Sequence, residues 1–118
     1  LADALATVLD EWPADREKPL LLISSDMNHF APEAENRRRD MLALDAAQTG
    51  DPRKLYDTCI ENDISMCGLL PAVAIMRALL KRHPSLKVEL TDYSNSAAVS
   101  GDASSVVGYA GLLLSQAQ

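Results

Sequence analysis

Hydrophobic residues recur at helical spacing in four segments of the chain. The segments predicted to form helices are residues 1–12, 33–48, 53–61 and 69–81. The last of these is the most hydrophobic, with apolar residues around nearly its whole circumference, so we expect a central buried helix. At residues 51–52 an aspartate precedes a proline, an order typical of a helix cap followed by the first helical residue.

Three other segments have the pattern of β-strands. Leu20–Ile23 is a run of four apolar residues, which is typical of a strand buried on both faces. Residues 86–93 alternate between apolar and polar positions, and residues 106–114 are largely apolar with two internal glycines. Helices and strands together in a chain of this length predict one α/β domain, over residues 1–118, with helices covering a sheet.

The net charge and composition of the chain argue against some classes of binding partner. The net charge of −6 argues against a nucleic-acid partner. The only basic cluster, Arg37–Arg39, is flanked by Glu33, Glu35 and Asp40 and is interpreted as the solvated face of a helix. No apolar run reaches about eighteen residues and no signal peptide is recognisable, so we expect no membrane partner. The two cysteines form no disulfide framework, which favours a reduced, cytoplasmic protein.

Asp26 and His29 form the first candidate site, because they follow the predicted strand Leu20–Ile23. Groups beyond the carboxyl ends of strands often bind ligands in open α/β sheets. A carboxylate three residues from an imidazole can orient it as a general acid or base. The alternative interpretation is structural, with Asp26 as a helix cap and His29 as an exposed residue.

Cys67 is the second candidate, because it stands before Gly68 at the start of the most hydrophobic helix. The amide dipoles of a helix N-terminus favour a thiolate, the form that binds metal. A buried and inert thiol is the alternative, and it is the interpretation we adopt for Cys59. Polar residues near the last strand form a third group, which is more often a plain turn than a site: Tyr93, Ser100, Asp102 and Tyr109.

Three stretches of the sequence resemble motifs of one known family. They are SSDMNHF (residues 24–30), MCGLLPAVAIMRAL (66–79) and DYSNSAAVSGDASSVVGYAG (92–111). They are similar to the "SSD-x-x-H-aromatic", "CG-x-x-P" and "Y-x-x-S…SGD-x-SSVVGYA" motifs of the Memo family, in the same order. The last stretch matches best, and it resembles the bacterial and archaeal branch called AmmeMemoRadiSam system protein B.

The resemblance implies a fold like that of class III extradiol dioxygenases of the LigB type, with a mixed sheet covered by helices. Dioxygenases of this class hold Fe(II) with two histidines and a glutamate, and a cysteine takes the glutamate's place in Memo proteins. Cys67 is therefore the implied ligand for iron or copper. His29 is the implied catalytic histidine, with Asp26 beside it. A thiolate suits a soft or redox-active metal better than a carboxylate does.

The sequence departs from the family pattern in its length. Memo proteins are about twice as long or more, and their two metal-binding histidines lie in the N-terminal half. The chain resembles the C-terminal half, so we expect weak or absent metal binding by this chain alone and inactivity without the remainder. Expected partners are the N-terminal half or a second copy, because missing strands would leave an exposed edge.

Three functions stay open on this basis. The first is part of a non-haem metal site related to the extradiol dioxygenases. The second is a non-enzymatic module that binds a peptide or protein in the same groove. The third is a redox role for Cys67 with copper.

Overall fold

The computed structural model describes residues 1–117, which form five helices and three strands. The helices are α1 (Ala2–Asp10), α2 (Glu33–Gln48), α3 (Pro52–Glu61), α4 (Leu69–Leu80) and α5 (Ala97–Ser100). The strands are β1 (His29–Ala31), β2 (Leu86–Asn95) and β3 (Val106–Gln116). The α/β class is confirmed, as are the four predicted helices and the last two predicted strands. Within these described residues, no helix is both long and apolar enough to cross a membrane.

The three strands form one antiparallel sheet in the order β1-β3-β2. β2 pairs with residues 108–116 of β3, with Leu86 opposite Gln116 and Asn95 opposite Gly108, and the register shifts between Leu90 and Asp92. The short helix α5 lies in the connection between them. β1 pairs with the start of β3, where His29 lies opposite Val107. The sheet thus places the residues around His29 beside one end of the long hairpin.

Helices α2 and α4 pack against β2, and α3 packs against α2 and α4, to form the hydrophobic core. Its buried members are Met27, Ala43, Leu44, Ala47, Leu55, Cys59, Ile64, Leu69, Ala72, Met76, Leu86 and Val88. Cys59 is 1% exposed, and burial raises the pKa of its thiol to about 11. The prediction of an inert core cysteine is therefore confirmed, because this thiol stays protonated and inaccessible at neutral pH.

The predicted buried strand at Leu20–Ile23 is wrong for this structure. Leu20 is 90% exposed and Leu22 is 84% exposed. In the part of the chain that the structure describes, the backbone of residues 20–26 makes no hydrogen bond to other backbone groups. An apolar run becomes a buried strand only where strands and helices flank it, and the described residues supply none on its outer side.

Helix α4 is less central than its composition indicates. Its buried residues are Leu69, Ala72, Met76 and Ala78, whereas Leu70 is 67% exposed. The helix therefore buries one face against α3 and leaves apolar side chains outside the core. Together with Leu20 and Leu22, Leu70 adds to the exposed hydrophobic surface of the chain.

Candidate metal centre

The structure brings together Asp26, His29 and Cys67, the three site residues that the sequence predicts. Asp26 ends the extended segment before β1, His29 begins β1, and Cys67 directly precedes Gly68, the N-cap of α4. One ligand atom from each of the three lies within 4.8 Å of the others. His29 Nε2 and Asp26 Oδ2 are 3.4 Å apart.

β3 holds the loop that carries these residues. Met27 N–H donates to the Gly108 carbonyl at 2.9 Å, and Gly108 N–H donates to the Asn28 carbonyl at 3.0 Å. The side chain of Met27 enters the hydrophobic core, while Asp26 and His29 stay partly exposed. The loop therefore has a buried anchor and an accessible face on which the two polar side chains lie.

Gly68 brings the cysteine loop against the aspartate loop. Its N–H donates to Ser25 Oγ at 2.7 Å, and a Cβ atom added to it would lie 2.4 Å from the Ser25 Cβ. The glycine is therefore required for the contact between the two loops. Asp26 N–H in turn donates to Cys67 Sγ at 3.3 Å, so a second hydrogen bond joins the two loops.

A buried polar network lies behind the site, and Asp40 is at its centre. The Asp40 carboxylate accepts hydrogen bonds from Asn28 N–H at 2.7 Å, Asn36 Nδ2 at 3.2 Å and Tyr93 Oη at 2.7 Å. Burial raises the pKa of Asp40, and the bonds from Tyr93 and Asn28 offset part of that rise. Burial and the bond to Asp40 raise the pKa of Tyr93, which keeps its hydroxyl a donor.

The solvated face predicted for Arg37–Arg39 therefore does not extend to the flanking Asp40. Asp40 and Asn36 are both fully buried, although the neighbouring Arg37 and Arg38 are exposed. The two residues lie one helical turn apart on the inner face of α2, so a polar pair takes the place of an apolar stripe there. Periodicity of hydrophobic residues cannot detect such a face, because the buried side chains are polar.

Ser65 connects this network to the candidate site. Its N–H and Oγ lie 3.0 and 3.1 Å from Asn28 Oδ1, and its Oγ accepts a hydrogen bond from His29 N–H at 2.9 Å. Asn28 is 1% exposed, so neither end of its side chain amide is available to solvent. Sequence patterns did not indicate Ser65 or Asn28 as part of the site. The only signal for them is their position, because Asn28 directly precedes His29 and Ser65 lies two residues before Cys67.

Comparison with known proteins gives the family. The sequence model described as "Memo-like protein" matches residues 1–113. The chain belongs to the Memo-like family. Similar proteins include a "MEMO1 family protein" of Aquifex aeolicus, 37% identical over 97 residues, and one of Archaeoglobus fulgidus, 40% identical over 104 residues. A further MEMO1 family protein, from a Thermotoga species (strain RQ2), is 32% identical over 114 residues.

The matches cover most of this Memo-like chain but a smaller part of each relative. They include 82%, 85% and 97% of the chain for the Aquifex, Archaeoglobus and Thermotoga proteins, respectively. The corresponding shares of the relatives are 36%, 38% and 39%. The chain therefore spans less than half the length of the Memo-like proteins compared here.

The third group of polar residues does not join the candidate site of this Memo-like protein. Asp102 Oδ1 accepts hydrogen bonds from both the N–H and the Oγ of Ser104, which is a local turn. Ser100 Oγ accepts from Asp102 N–H in the same turn. Tyr93 instead binds Asp40, and Tyr109 is 44% exposed on β3. The candidate metal centre therefore consists of Asp26, His29 and Cys67.

Proposed function

We propose that this chain carries part of a non-haem metal site related to that of the extradiol dioxygenases, with Fe(II) or copper as the ion. The observation that carries the proposal is the convergence of a ring nitrogen of His29, a carboxylate oxygen of Asp26 and Cys67 Sγ within 4.8 Å of one another. These atoms come from two loops that are far apart in sequence. Each offers an electron pair to the same space, as the ligands of one ion do.

The donor set fits a transition metal. Two ligands at metal–ligand distances of about 2.0–2.2 Å lie roughly 3–3.5 Å apart at tetrahedral or octahedral angles, and the His29–Asp26 separation is 3.4 Å. A thiolate and an imidazole favour iron or copper over magnesium or calcium. Bound Fe(II) would supply the redox chemistry that dioxygenation requires.

Each residue would have a distinct role in that site. Cys67 would hold the ion through its sulfur, which accepts a hydrogen bond from the Asp26 backbone. His29 would accept or donate a proton at Nε2, and the Asp26 carboxylate would orient it. In this chain alone, all three side chains would share the ion. With the two further histidines that the family resemblance implies, His29 and Asp26 would be released for proton transfer.

The complete site would also need residues from a second polypeptide segment. We propose that the N-terminal half of the Memo-like fold supplies this segment. Within residues 1–117, the extended segment Leu20–Ile23 makes no backbone–backbone hydrogen bond. Leu20 and Leu22 are exposed beside a 460 Å³ cavity lined mainly by apolar side chains. The radius of gyration is 15.6 Å, against about 13–14 Å for a compact chain of this length. An added strand at this edge would pair the backbone and cover the leucines.

Co-expression tests this proposal. The chain is produced with the N-terminal half of a Memo-like relative, and the purified complex is analysed for iron and copper. We expect a one-to-one complex with about one ion, loss of the ion in Cys67→Ala, and its retention in the matched control Cys59→Ala. A homodimer of this chain in place of the complex would contradict the assigned partner. Equal metal content in both cysteine variants would contradict the ligand assignment.

A peptide-binding groove at the same place is the second candidate function. Phe30 favours it, because this side chain is 77% exposed and its ring lies 5.6 Å from that of His29. Phe30 also has a φ of 61°, a conformation that costs a bulky residue energy and turns its ring outward here. A saturable peptide interaction that survives chelation and Cys67→Ala would favour this function over the metal site.

A further inference from the structure

Asn28 is a buried residue that two elements of the fold hold in place. Its backbone N–H donates to Asp40 Oδ1 at 2.7 Å, and its backbone carbonyl accepts from Gly108 N–H at 3.0 Å. Its side-chain Nδ2 donates to Asn36 Oδ1 at 2.7 Å. Helix α2 and strand β3 therefore fix both the backbone of Asn28 and one end of its amide.

The other end of the Asn28 amide binds the loop that carries Cys67. Its Oδ1 accepts from Ser65 N–H at 3.0 Å and lies 3.1 Å from Ser65 Oγ. The orientation of the amide is unambiguous, because a backbone N–H can only donate and the atom that faces it must be the carbonyl oxygen. This bond, the Asn28–Ser65 link, does not depend on where the Ser65 hydroxyl or the His29 ring carries its hydrogen.

The loop that carries Cys67 is thus attached on both sides of the cysteine. Gly68 is bound to the serine of the aspartate loop, and Ser65 is bound to Asn28, the residue directly before His29. A bond from His29 N–H to Ser65 Oγ also joins the two loops at 2.9 Å, but it is exposed, so water competes with it. The Asn28–Ser65 link therefore fixes the cysteine loop relative to His29.

We infer that Asn28 is a positioning residue that holds the Cys67 loop against the His29 loop and so sets the distance between two of the proposed metal ligands. Ligands that folding has already brought together bind an ion more tightly than ligands on independent loops. The value of the Asn28–Ser65 link for metal binding rests on the proposed function. The link itself does not, because it consists of hydrogen bonds that involve no metal.

Amide hydrogen exchange of the metal-free protein, followed by NMR, tests the link. Ser65 N–H is bound to Asn28, whereas Met66 N–H has no hydrogen-bond partner in the part of the chain that the structure describes. After correction for intrinsic rates, we expect Ser65 N–H to exchange roughly fivefold to tenfold more slowly than Met66 N–H, the effect of about one hydrogen bond. Equal exchange of the two amides in the wild type, which needs no variant to fold, would overturn the inference.

Two substitutions separate positioning from general support of the fold. Asn28→Ala removes the acceptor and should raise the exchange rate of Ser65 N–H to that of Met66 N–H. Asn36→Ala is the matched control, because it breaks the bond at the other end of the same amide and leaves Asn28 Oδ1 in place. Both variants should be less stable than the wild type, but only Asn28→Ala should lose the difference between Ser65 and Met66. Loss of this difference in both variants, or in neither, would overturn the inference.

A Co²⁺ titration of these variants, each in complex with the N-terminal half of a Memo-like relative, shows whether the link matters for the metal. Groups that orient metal ligands typically change affinity by about 10–100-fold, so we expect at least about tenfold weaker binding for Asn28→Ala and wild-type affinity for Asn36→Ala. If the exchange results are as expected but the wild-type complex binds no Co²⁺, the proposed function fails and the link stands. If the wild-type complex binds Co²⁺ and the two variants have equal affinity, the positioning role fails and the metal site stands.

Discussion

Replacement of Asp40 by alanine is expected to lower the free energy of unfolding by about 3–5 kcal/mol. The carboxylate is fully buried and accepts hydrogen bonds from Asn28, Asn36 and Tyr93. Its removal leaves three donors without partners in the interior, and each unsatisfied buried group costs about 1–3 kcal/mol. The loss should also loosen the loop that carries His29, because Asn28 anchors that loop through its N–H.

Urea unfolding followed by circular dichroism measures this effect. Asp45→Ala is the matched control, because Asp45 lies on the same helix but is exposed. This control should change the free energy of unfolding by no more than about 0.5 kcal/mol. The free energy of unfolding of Asp40→Asn should lie between those of the wild type and Asp40→Ala. The amide keeps one acceptor oxygen but places an NH₂ group among the hydrogen-bond donors. Equal stability of Asp40→Ala and Asp45→Ala would show that the carboxylate does not hold the network.

Gly108→Ala is the second substitution with a large expected effect, a loss of about 3 kcal/mol or more in the free energy of unfolding. A Cβ atom at this position would lie 1.8 Å from Asp40 Oδ2 and 2.8 Å from Asp40 Cγ. The carboxylate cannot rotate away without losing its bonds to Asn28 and Tyr93. The strand or the helix must therefore shift, and the pairing of Gly108 with Asn28 shifts with it.

Gly111→Ala provides the comparison within the same strand. Its added Cβ would also meet an oxygen, Thr91 Oγ1 at 2.5 Å, but this side chain is at the surface and can change rotamer. We expect a loss of about 1 kcal/mol or less from this variant. Thermal unfolding of the Gly108→Ala and Gly111→Ala proteins measures the difference in their stability. If Gly111→Ala destabilises the chain as much as Gly108→Ala, the buried carboxylate is not the reason for the glycine in β3.

Local patterns in the sequence were sufficient for most helices and strands. Asp51 caps α3 as predicted, because its carboxylate accepts hydrogen bonds from the N–H groups of Arg53 and Lys54. The alternation of apolar and polar residues over 86–93 predicts a half-buried strand. The structure agrees, because β2 is buried at Leu86 and Val88 but exposed between them. Such features depend on nearest neighbours in the chain, so the sequence alone contains them.

Features that depend on distant residues were not predictable in this way. Leu20–Ile23 has the composition of a buried strand, but its burial depends on neighbours that the described residues do not provide. Asp40 is of a residue type that usually lies at the surface, but Tyr93 and Asn28 supply hydrogen-bond donors to its carboxylate from two other segments. In both cases the tertiary environment decides burial, and local polarity gives the wrong answer.

The candidate site also combines a feature that the local sequence predicts with features that depend on distant residues. Asp26 and His29 are three residues apart, so their proximity could be expected from the sequence. The approach of Cys67 to them was expected only from the resemblance to the Memo family, because Cys67 lies 38 positions after His29 in the chain. Ser65 was not anticipated, since its role depends on its hydrogen bonds to Asn28 and His29.

The most direct test of the metal centre is a Co²⁺ titration of the purified, metal-free complex of this chain with the N-terminal half of a Memo-like relative, followed by ultraviolet absorption. A thiolate bound to cobalt gives a charge-transfer band that carboxylate and imidazole ligands do not give. We expect a saturable band for the complex of the wild-type chain and for that of Cys59→Ala, and no such band for that of Cys67→Ala. A wild-type complex without the band, or a band of equal strength in the Cys67→Ala complex, would contradict the assignment of Cys67 as a metal ligand.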